Sequence, residues 1–137
     1  MFLETPPTLA GTVDKTEWSS LSRWLQLLHG SIGDNFTPRF VYSNKTASAT
    51  LRLEEAGFVF VDTGAAAMTL TLPPINQAGG GTLYIFLKTD ASSNLLTIDA
   101  NGTETINNAL TYTAINAQYE GVAIVSTETE WIAWSLV

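Results

Sequence analysis

The acidic residues are the side chains whose type and spacing come nearest to known chemistry. Glu54 and Glu55 stand side by side before Ala56-Gly57. A hydrolytic carboxylate pair must face across a cleft, with the carboxyl groups roughly 5–9.5 Å apart, whereas neighbours in a turn point apart. We therefore interpret Glu54 and Glu55 as part of an exposed turn.

A second acidic stretch superficially resembles a calcium-binding loop. Asp99, Asn101, Gly102 and Glu104 offer oxygen ligands and a glycine, but the glycine comes too early and further oxygen ligands are missing. Asn101-Gly102 is a strong signal for a tight hairpin, because both central residues of a primed turn have positive φ. We predict a hairpin here, with no metal site and no cofactor.

The single histidine, His29, lies in the last turn of a predicted helix, where a cation complements the helix dipole. A catalytic triad would need a serine and an acid that no motif identifies. A metal site would need a second histidine or a cysteine, and the chain has no cysteine. Gly79-Gly80-Gly81 precedes a strand and lacks the Lys-Ser/Thr of a phosphate-binding loop. We predict that the protein is not an enzyme.

The balance of charges argues against two kinds of partner. The 137 residues include 6 Lys and Arg against 13 Asp and Glu, and the resulting net charge of -7 has the wrong sign for holding a nucleic acid. No run of about 18 apolar residues is present to cross a bilayer. Residues 1–12 lack the basic start and apolar run of a secretion signal, so we expect a soluble product of the cytoplasm.

Residues 1–13 predict an extended N-terminal arm. Pro6-Pro7 removes backbone donors and biases Thr5 toward extended geometry. The stretch also lacks the apolar periodicity of a helix or a strand. We therefore expect the arm to gain its order by docking on a partner.

Residues 14–32 predict one short amphipathic helix. Asp14 and Glu17 have the spacing of a capping box at its start. Steps of three and four residues then separate the apolar positions Trp18, Leu21, Leu25, Leu28 and Ile32. Such a seam is typical of a coiled coil, but two heptads are marginal in water without further packing. The seam could join copies of the chain or pack within it.

Residues 33–137 predict a β domain, because the apolar period changes to two. The chain has 19 threonines, and together with Val, Ile, Tyr, Phe and Trp they favour strands. Turn signals recur about every 8–12 residues, so we predict a mainly β fold, an antiparallel β-sandwich or jelly-roll-like domain. The predicted strands are 39–43, 47–53, 58–62, 68–72, 82–89, 95–99, 103–106, 110–115, 121–127 and 130–136.

Several segments carry a resemblance to a known class of module. They are GFVFVDT from Gly57, MTLTLPP from Met68, GTLYIFLK from Gly81, LTIDANGTETI from Leu96, and YEGVAIV from Tyr119 with Trp131. This pattern, over about residues 57–134, resembles a β module of tailed-bacteriophage virion proteins. The resemblance implies a trimeric structural protein of fibres, spikes or head-attached accessories, without catalytic residues.

The chain has no repeated shaft, unlike a long fibre, and this favours a capsid cement or decoration protein on the outer capsid surface. Its partners would be copies of itself in a homotrimer and the major capsid protein or another virion protein. The residues expected to contact the shell are Phe2, Leu3, Pro6 and Pro7. The residues expected at the threefold seam are Trp18, Leu21, Leu25 and Leu28.

The alternative is a short tail or head fibre, or a baseplate tip, whose arm grips the tail and whose β unit recognises a host-surface glycan. Copy number separates the two hypotheses, since hundreds of copies indicate cement and roughly three to eighteen an appendage. A third hypothesis, a small glycan hydrolase, requires polysaccharide turnover that is lost on changing Glu54 or Glu55.

Overall fold

The computed structural model describes residues 15–32 and 39–136, except for the side chains of 15–18 and 28–32. The chain divides into two compact units, Met1–Arg39 and Phe40–Val137. The predicted arm, residues 1–13, lies outside the described residues, and so do its four expected shell contacts, Phe2, Leu3, Pro6 and Pro7.

The described part of the first unit is a single helix, α1 (Lys15–Ile32), close to the predicted 14–32. Leu21 is partly buried, whereas Leu25 is 51% exposed. Trp18 and Leu28 lie on α1, but their side chains are outside the described set. Neither α1 nor any other helix of the described chain combines the length and apolarity needed to span a bilayer.

The second unit is mainly β and contains two mixed sheets. The first, sheet A, has the order β1 (Tyr42–Lys45), β3 (Gly57–Val61), β5 (Leu83–Lys88), β8 (Gly121–Ser126) and β9 (Trp131–Ser135). The second, sheet B, has the order β2 (Ala49–Thr50), β4 (Met68–Thr71), β6 (Leu96–Asp99) and β7 (Thr111–Ile115). A 3-10 turn, Leu53–Glu55, and a short helix, α2 (Ile75–Ala78), lie in the connections.

Strands β1 to β6 alternate between the two sheets, and each is parallel to its predecessor in the same sheet. Tyr42 pairs with Phe58, and Phe58 pairs with Ile85. In sheet B, Leu70 pairs with Ala49 on one side and Ile98 on the other. The path is thus a coil of three turns, each contributing one strand to each sheet.

The predicted antiparallel pairing is wrong for these six strands. The antiparallel pairs are β5–β8, β6–β7 and β8–β9, at the C-terminal end of the coil. The described strands include no four-stranded antiparallel unit of the kind that builds a jelly roll. A jelly-roll path is therefore not confirmed.

One apolar core lies between the inward positions of the two sheets. Val59 and Val61 of β3 and Phe86 of β5 share it with Leu70 and Ile98 of sheet B, and all five are fully buried. Tyr84 also lies in the core, with its ring centroid 6.0 Å from that of Trp131. Its hydroxyl donates to the Arg52 carbonyl at 2.7 Å, and burial raises the pKa of Tyr84 to about 12.

The segment from Asn101 to Ala109 differs from its prediction. Asn101-Gly102 does not close a two-residue hairpin, and no strand covers 103–106, since only Ile106 there forms an isolated bridge. The tight turn lies instead at Asn107-Asn108, where φ is 50° and 65° and Ile106 bridges Ala109. Asparagine tolerates positive φ better than most residues, which permits a primed turn without glycine.

Asn107 also covers the outer edge of β9. Its backbone N–H donates to the Trp131 carbonyl at 3.0 Å. Its side-chain amide donates to the Ala133 carbonyl at 2.8 Å and accepts from the Ala133 N–H at 3.0 Å. An amide group thus replaces the next strand, which shields β9 from pairing with another chain.

Gly57 lies where β3 closely approaches the backbone that precedes β1. Its φ is 128°, and a Cβ there would overlap the carbonyl oxygen of Val41. That oxygen accepts a hydrogen bond from Phe58 N–H at 2.9 Å, which joins the start of β1 to β3. The parallel pairing of the first two strands of sheet A therefore requires glycine at this site.

We predict that Gly57→Ala lowers the free energy of unfolding by about 2–4 kcal/mol, because it adds backbone strain and a steric overlap. Gly102→Ala is the matched control, since φ is 61° but a Cβ would meet nothing within 4 Å, and it should cost about 1 kcal/mol. Urea unfolding measures both, and equal midpoints for the two variants would contradict the prediction.

Candidate functional site

The most concentrated polar chemistry in the described residues surrounds Lys88, the last residue of β5. Its side chain points inward and is fully buried. Its Nζ atom donates to Asp90 Oδ1 at 2.7 Å, to the Ser92 carbonyl at 2.7 Å and to the Asp90 carbonyl at 3.0 Å. These contacts occupy the three N–H groups of the ammonium.

Asp90 connects this lysine to the neighbouring turn of the coil. Its Oδ2 atom accepts from Thr63 N–H at 2.6 Å, and its Oδ1 atom accepts from Ser92 N–H at 2.9 Å and from the Ser92 hydroxyl. Asn94 donates to the Thr63 carbonyl at 2.7 Å. Burial alone would raise the pKa of Asp90, but hydrogen bonds from Lys88, Ser92 and Thr63 hold it well below its usual range.

A lysine beside a serine suggests nucleophilic catalysis, in which a neutral amine would accept the serine proton. The Lys88 ammonium instead donates to the Asp90 carboxylate, and the Ser92 hydroxyl donates to the same carboxylate and not to the lysine. The arrangement therefore suits a clamp between two connections. It ties residues 62–67, which lead from β3 to β4, to residues 89–95, which lead from β5 to β6.

Glu54 and Glu55 do not form a hydrolytic pair. Glu54 is exposed near Arg52, whereas Glu55 is mostly buried and accepts from Lys45 Nζ and from Arg52 N–H. Burial opposes the charge of Glu55, but the bonds from Lys45 and Arg52 lower its pKa. A general acid needs a raised pKa instead. The interpretation as an exposed turn holds for Glu54 and is wrong for Glu55.

In the stretch that resembles a calcium loop, the carboxylate of Glu104 binds the protein backbone. Both carboxylate oxygens of Glu104 accept from the N–H of Ile75, at 3.0 and 3.1 Å, where α2 begins. Within residues 15–32 and 39–136, no three His, Asp or Glu side chains are grouped to hold a metal ion. Glu120 likewise accepts from Asn116 and Ala117 N–H, which lowers its pKa.

The outward side of sheet A is an extended apolar surface of the second unit, and the predictions from sequence missed it. We call it the apolar face. Its positions alternate with core positions along the five strands, and apart from Asn44 and Gly121 they are Tyr42, Phe58, Phe60, Leu83, Ile85, Leu87, Ala123, Val125, Ile132 and Trp134.

Aromatic rings lie at the β1 side of the apolar face. Phe40, which precedes β1, meets Phe58 edge-on with ring centroids 5.7 Å apart, and Phe58 stacks on Phe60 at 6.3 Å. Tyr42 lies 6.2 Å from Phe60. Phe40 is 75% exposed, Tyr42 is 66% exposed, and Trp134 on the opposite edge is 48% exposed. The face thus presents ring surface to its surroundings.

The outward side of sheet B has the opposite character. Its positions are mostly threonines, among them Thr50, Thr69, Thr97, Thr111 and Thr113. Thr69 and Thr113 are exposed. One outer side of the unit is therefore suited to water, whereas the other is suited to a partner.

No protein-family model matches the chain, and no curated protein matches it either.

We predict that Lys88→Met lowers the free energy of unfolding by about 3 kcal/mol or more, because it removes a fully buried ammonium and leaves the partly buried Asp90 carboxylate without its cation. Arg52→Met is the control, since the Arg52 side chain is exposed beside Glu54 and should contribute less than about 1 kcal/mol. Equal urea midpoints for the two variants would show that Lys88 does not clamp the connections.

The ion pair of Lys88 and Asp90 also predicts that the stability of the fold depends on pH. The folded pKa of Asp90 is lowered from the unfolded value of about 3.9, so its stabilisation is complete above that value and is lost as the pH falls toward the folded pKa. The urea midpoint of the wild type should therefore drop between about pH 5 and pH 2. The drop should be smaller in Lys88→Met, where less of the pKa shift remains; an equal drop would contradict this assignment.

Proposed function

We propose that this chain is a non-enzymatic structural protein of a bacteriophage particle, most simply a capsid cement or decoration protein. The observation that carries the proposal is the apolar face, an uncharged surface on a small chain with a net charge of -7. An extended exposed apolar surface of this kind is unfavourable in water and is typical of proteins that bind a partner through it. The resemblance of residues 57–134 to phage virion modules supplies the biological setting.

The use of the charged groups supports a structural role. Lys88, Asp90, Glu55 and Glu104 are all engaged in bonds that hold connections of the fold. A catalytic acid or base must instead be able to reach a substrate. The hydrogen bonds of these four residues therefore support a structural role and not a catalytic one.

The proposed mechanism is binding that favours the assembled state. A protein that binds an assembled shell, and not its separate subunits, stabilises that shell by its binding free energy, repeated over many copies. Several arms on one oligomer would bind more tightly than one, because docking of the first arm raises the effective concentration of the others. In this proposal the two sheets form a β-sandwich head, residues 1–13 form the arm, and the oligomer is a homotrimer.

We predict that deleting residues 1–13 leaves a folded oligomer that no longer co-sediments with heads of the encoding phage. Phe2, Leu3, Pro6 and Pro7 are removed together, while Lys15–Ile32 and all strands are retained. Circular dichroism and light scattering on the deletion variant are the controls for folding and oligomer mass. Undiminished co-sedimentation would reject the role of the arm.

Recognition of a host glycan by a short fibre or baseplate tip is the competing proposal. Trp134 and Tyr42 offer exposed rings of the kind that stack on sugars. Densitometry of purified particles against the major shell protein separates the two proposals. Hundreds of copies support decoration, and about three to eighteen support an appendage.

A further inference from the structure

We propose that the apolar face packs against the same face of another copy of this chain. The inference rests on the proposed function only in that both require an oligomer. Identical faces that pack on each other join copies in pairs, so an even-numbered oligomer takes the place of the homotrimer of that proposal. The heptad-like seam of α1 was the surface expected from the sequence. The sheet offers a different surface, in a different unit of the chain.

The face is continuous from edge to edge. Three rows of side chains cross sheet A, and the middle row contains Tyr42, Phe58, Ile85, Ala123 and Trp134 in successive strands. The rows on either side are Leu83, Val125 and Ile132, and Phe60, Leu87 and Leu136. Apart from the Tyr42 hydroxyl and the Trp134 indole N–H, Asn44 carries the only polar side-chain group at an outward position of the five strands.

The absence of charge from these rows favours a second copy as the occupant. A chemically different partner is commonly selected through charged groups of the opposite sign, and the outward positions of sheet A offer none. Two copies that meet through their apolar faces bury no unpaired charge, whereas the threonine-rich outward side of sheet B would offer little apolar surface to bury. The remaining charge, net -7 per copy, stays in water.

The exposed area is also of the right size. The exposed fractions of Phe40, Tyr42 and Trp134 correspond to roughly 300–450 Å² of ring surface per copy, and the half-buried side chains of the face add to it. A stable interface buries about 800 Å² per partner. The three rings therefore supply about half of such an interface, and the half-buried side chains supply more.

Identical sheets are suited to pack on each other. Both have the same right-handed twist, so their strands can align within about 30° and their side chains interdigitate at a separation of about 10 Å. Ile85 lies in the middle row of the central strand. A symmetric pairing centred on the face therefore brings Ile85 close to its counterpart.

The test uses the purified full chain alone, measured by light scattering. The wild type should have the mass of an even number of 14.8 kDa copies, because identical faces join copies in pairs, and a trimeric mass would overturn the inference. Tyr42→Glu with Trp134→Glu should weaken association by about 100-fold or more, because it places charges in the interface. Thr69→Glu with Thr113→Glu adds the same charge to the outward side of sheet B and should leave the mass unchanged.

A monomeric wild type would overturn the inference, as would an oligomer that persists in the Tyr42 and Trp134 variant and dissociates in Leu25→Glu. A second measurement covers the case in which the double variant fails to fold. The chain has no cysteine, so Ile85→Cys carries a single thiol that a short bifunctional thiol reagent should join between copies, whereas Thr113→Cys should not react in this way. Crosslinking of Thr113→Cys alone would also overturn it.

The experiments distinguish failure of the apolar-face inference from failure of the proposed decoration role. An oligomer that dissociates on the Tyr42 and Trp134 changes, in a protein that binds no phage head, supports the face and rejects the decoration role. Binding to heads by a protein whose mass is unaffected by those changes rejects the face and supports the decoration role.

Discussion

The buried pair of Lys88 and Asp90 is the interaction on which the architecture of the second unit depends. It lies where the chain leaves sheet A for sheet B, and through Thr63 it joins two successive crossings of the coil. An unpaired charge at this depth would be strongly destabilising, so both partners must be placed correctly for either to be tolerated. The pair therefore favours one path of the chain over alternatives of similar apolar burial.

Much of the secondary structure could be predicted from the sequence, because the spacing of apolar residues directly reflects the period of a helix or a strand. Apolar steps of three and four locate α1, and alternation locates most of the strands. Alternation does not report direction, however, since parallel and antiparallel strands share a period of two. The sequence does contain a hint of parallel pairing, as GFVFV and LYIFL are continuous apolar runs, which is typical of parallel strands covered on both faces.

The same runs explain why the apolar face was missed. Val59 and Phe58 are equally apolar, so a reading that assigns apolar side chains to the core cannot tell which of them faces inward. The polar cluster was missed for a different reason. Thr63 and Asp90 are 27 residues apart in the sequence, and the return of the coil brings them together beside Lys88. The spacing of neighbouring residues cannot predict such a long-range contact. The predicted contacts of Phe2, Leu3, Pro6 and Pro7 stay predictions.

Edges and faces of a sheet favour different kinds of association, and this chain treats them differently. Pairing at an edge adds strands without limit, and it is the route to aggregation. Asn107 occupies the outer edge of β9 with both a backbone and a side-chain bond, which discourages that route at this side. Packing between two faces closes after the faces are covered. A covered β9 edge beside an open apolar face therefore favours a closed oligomer with the acidic remainder of each copy in water.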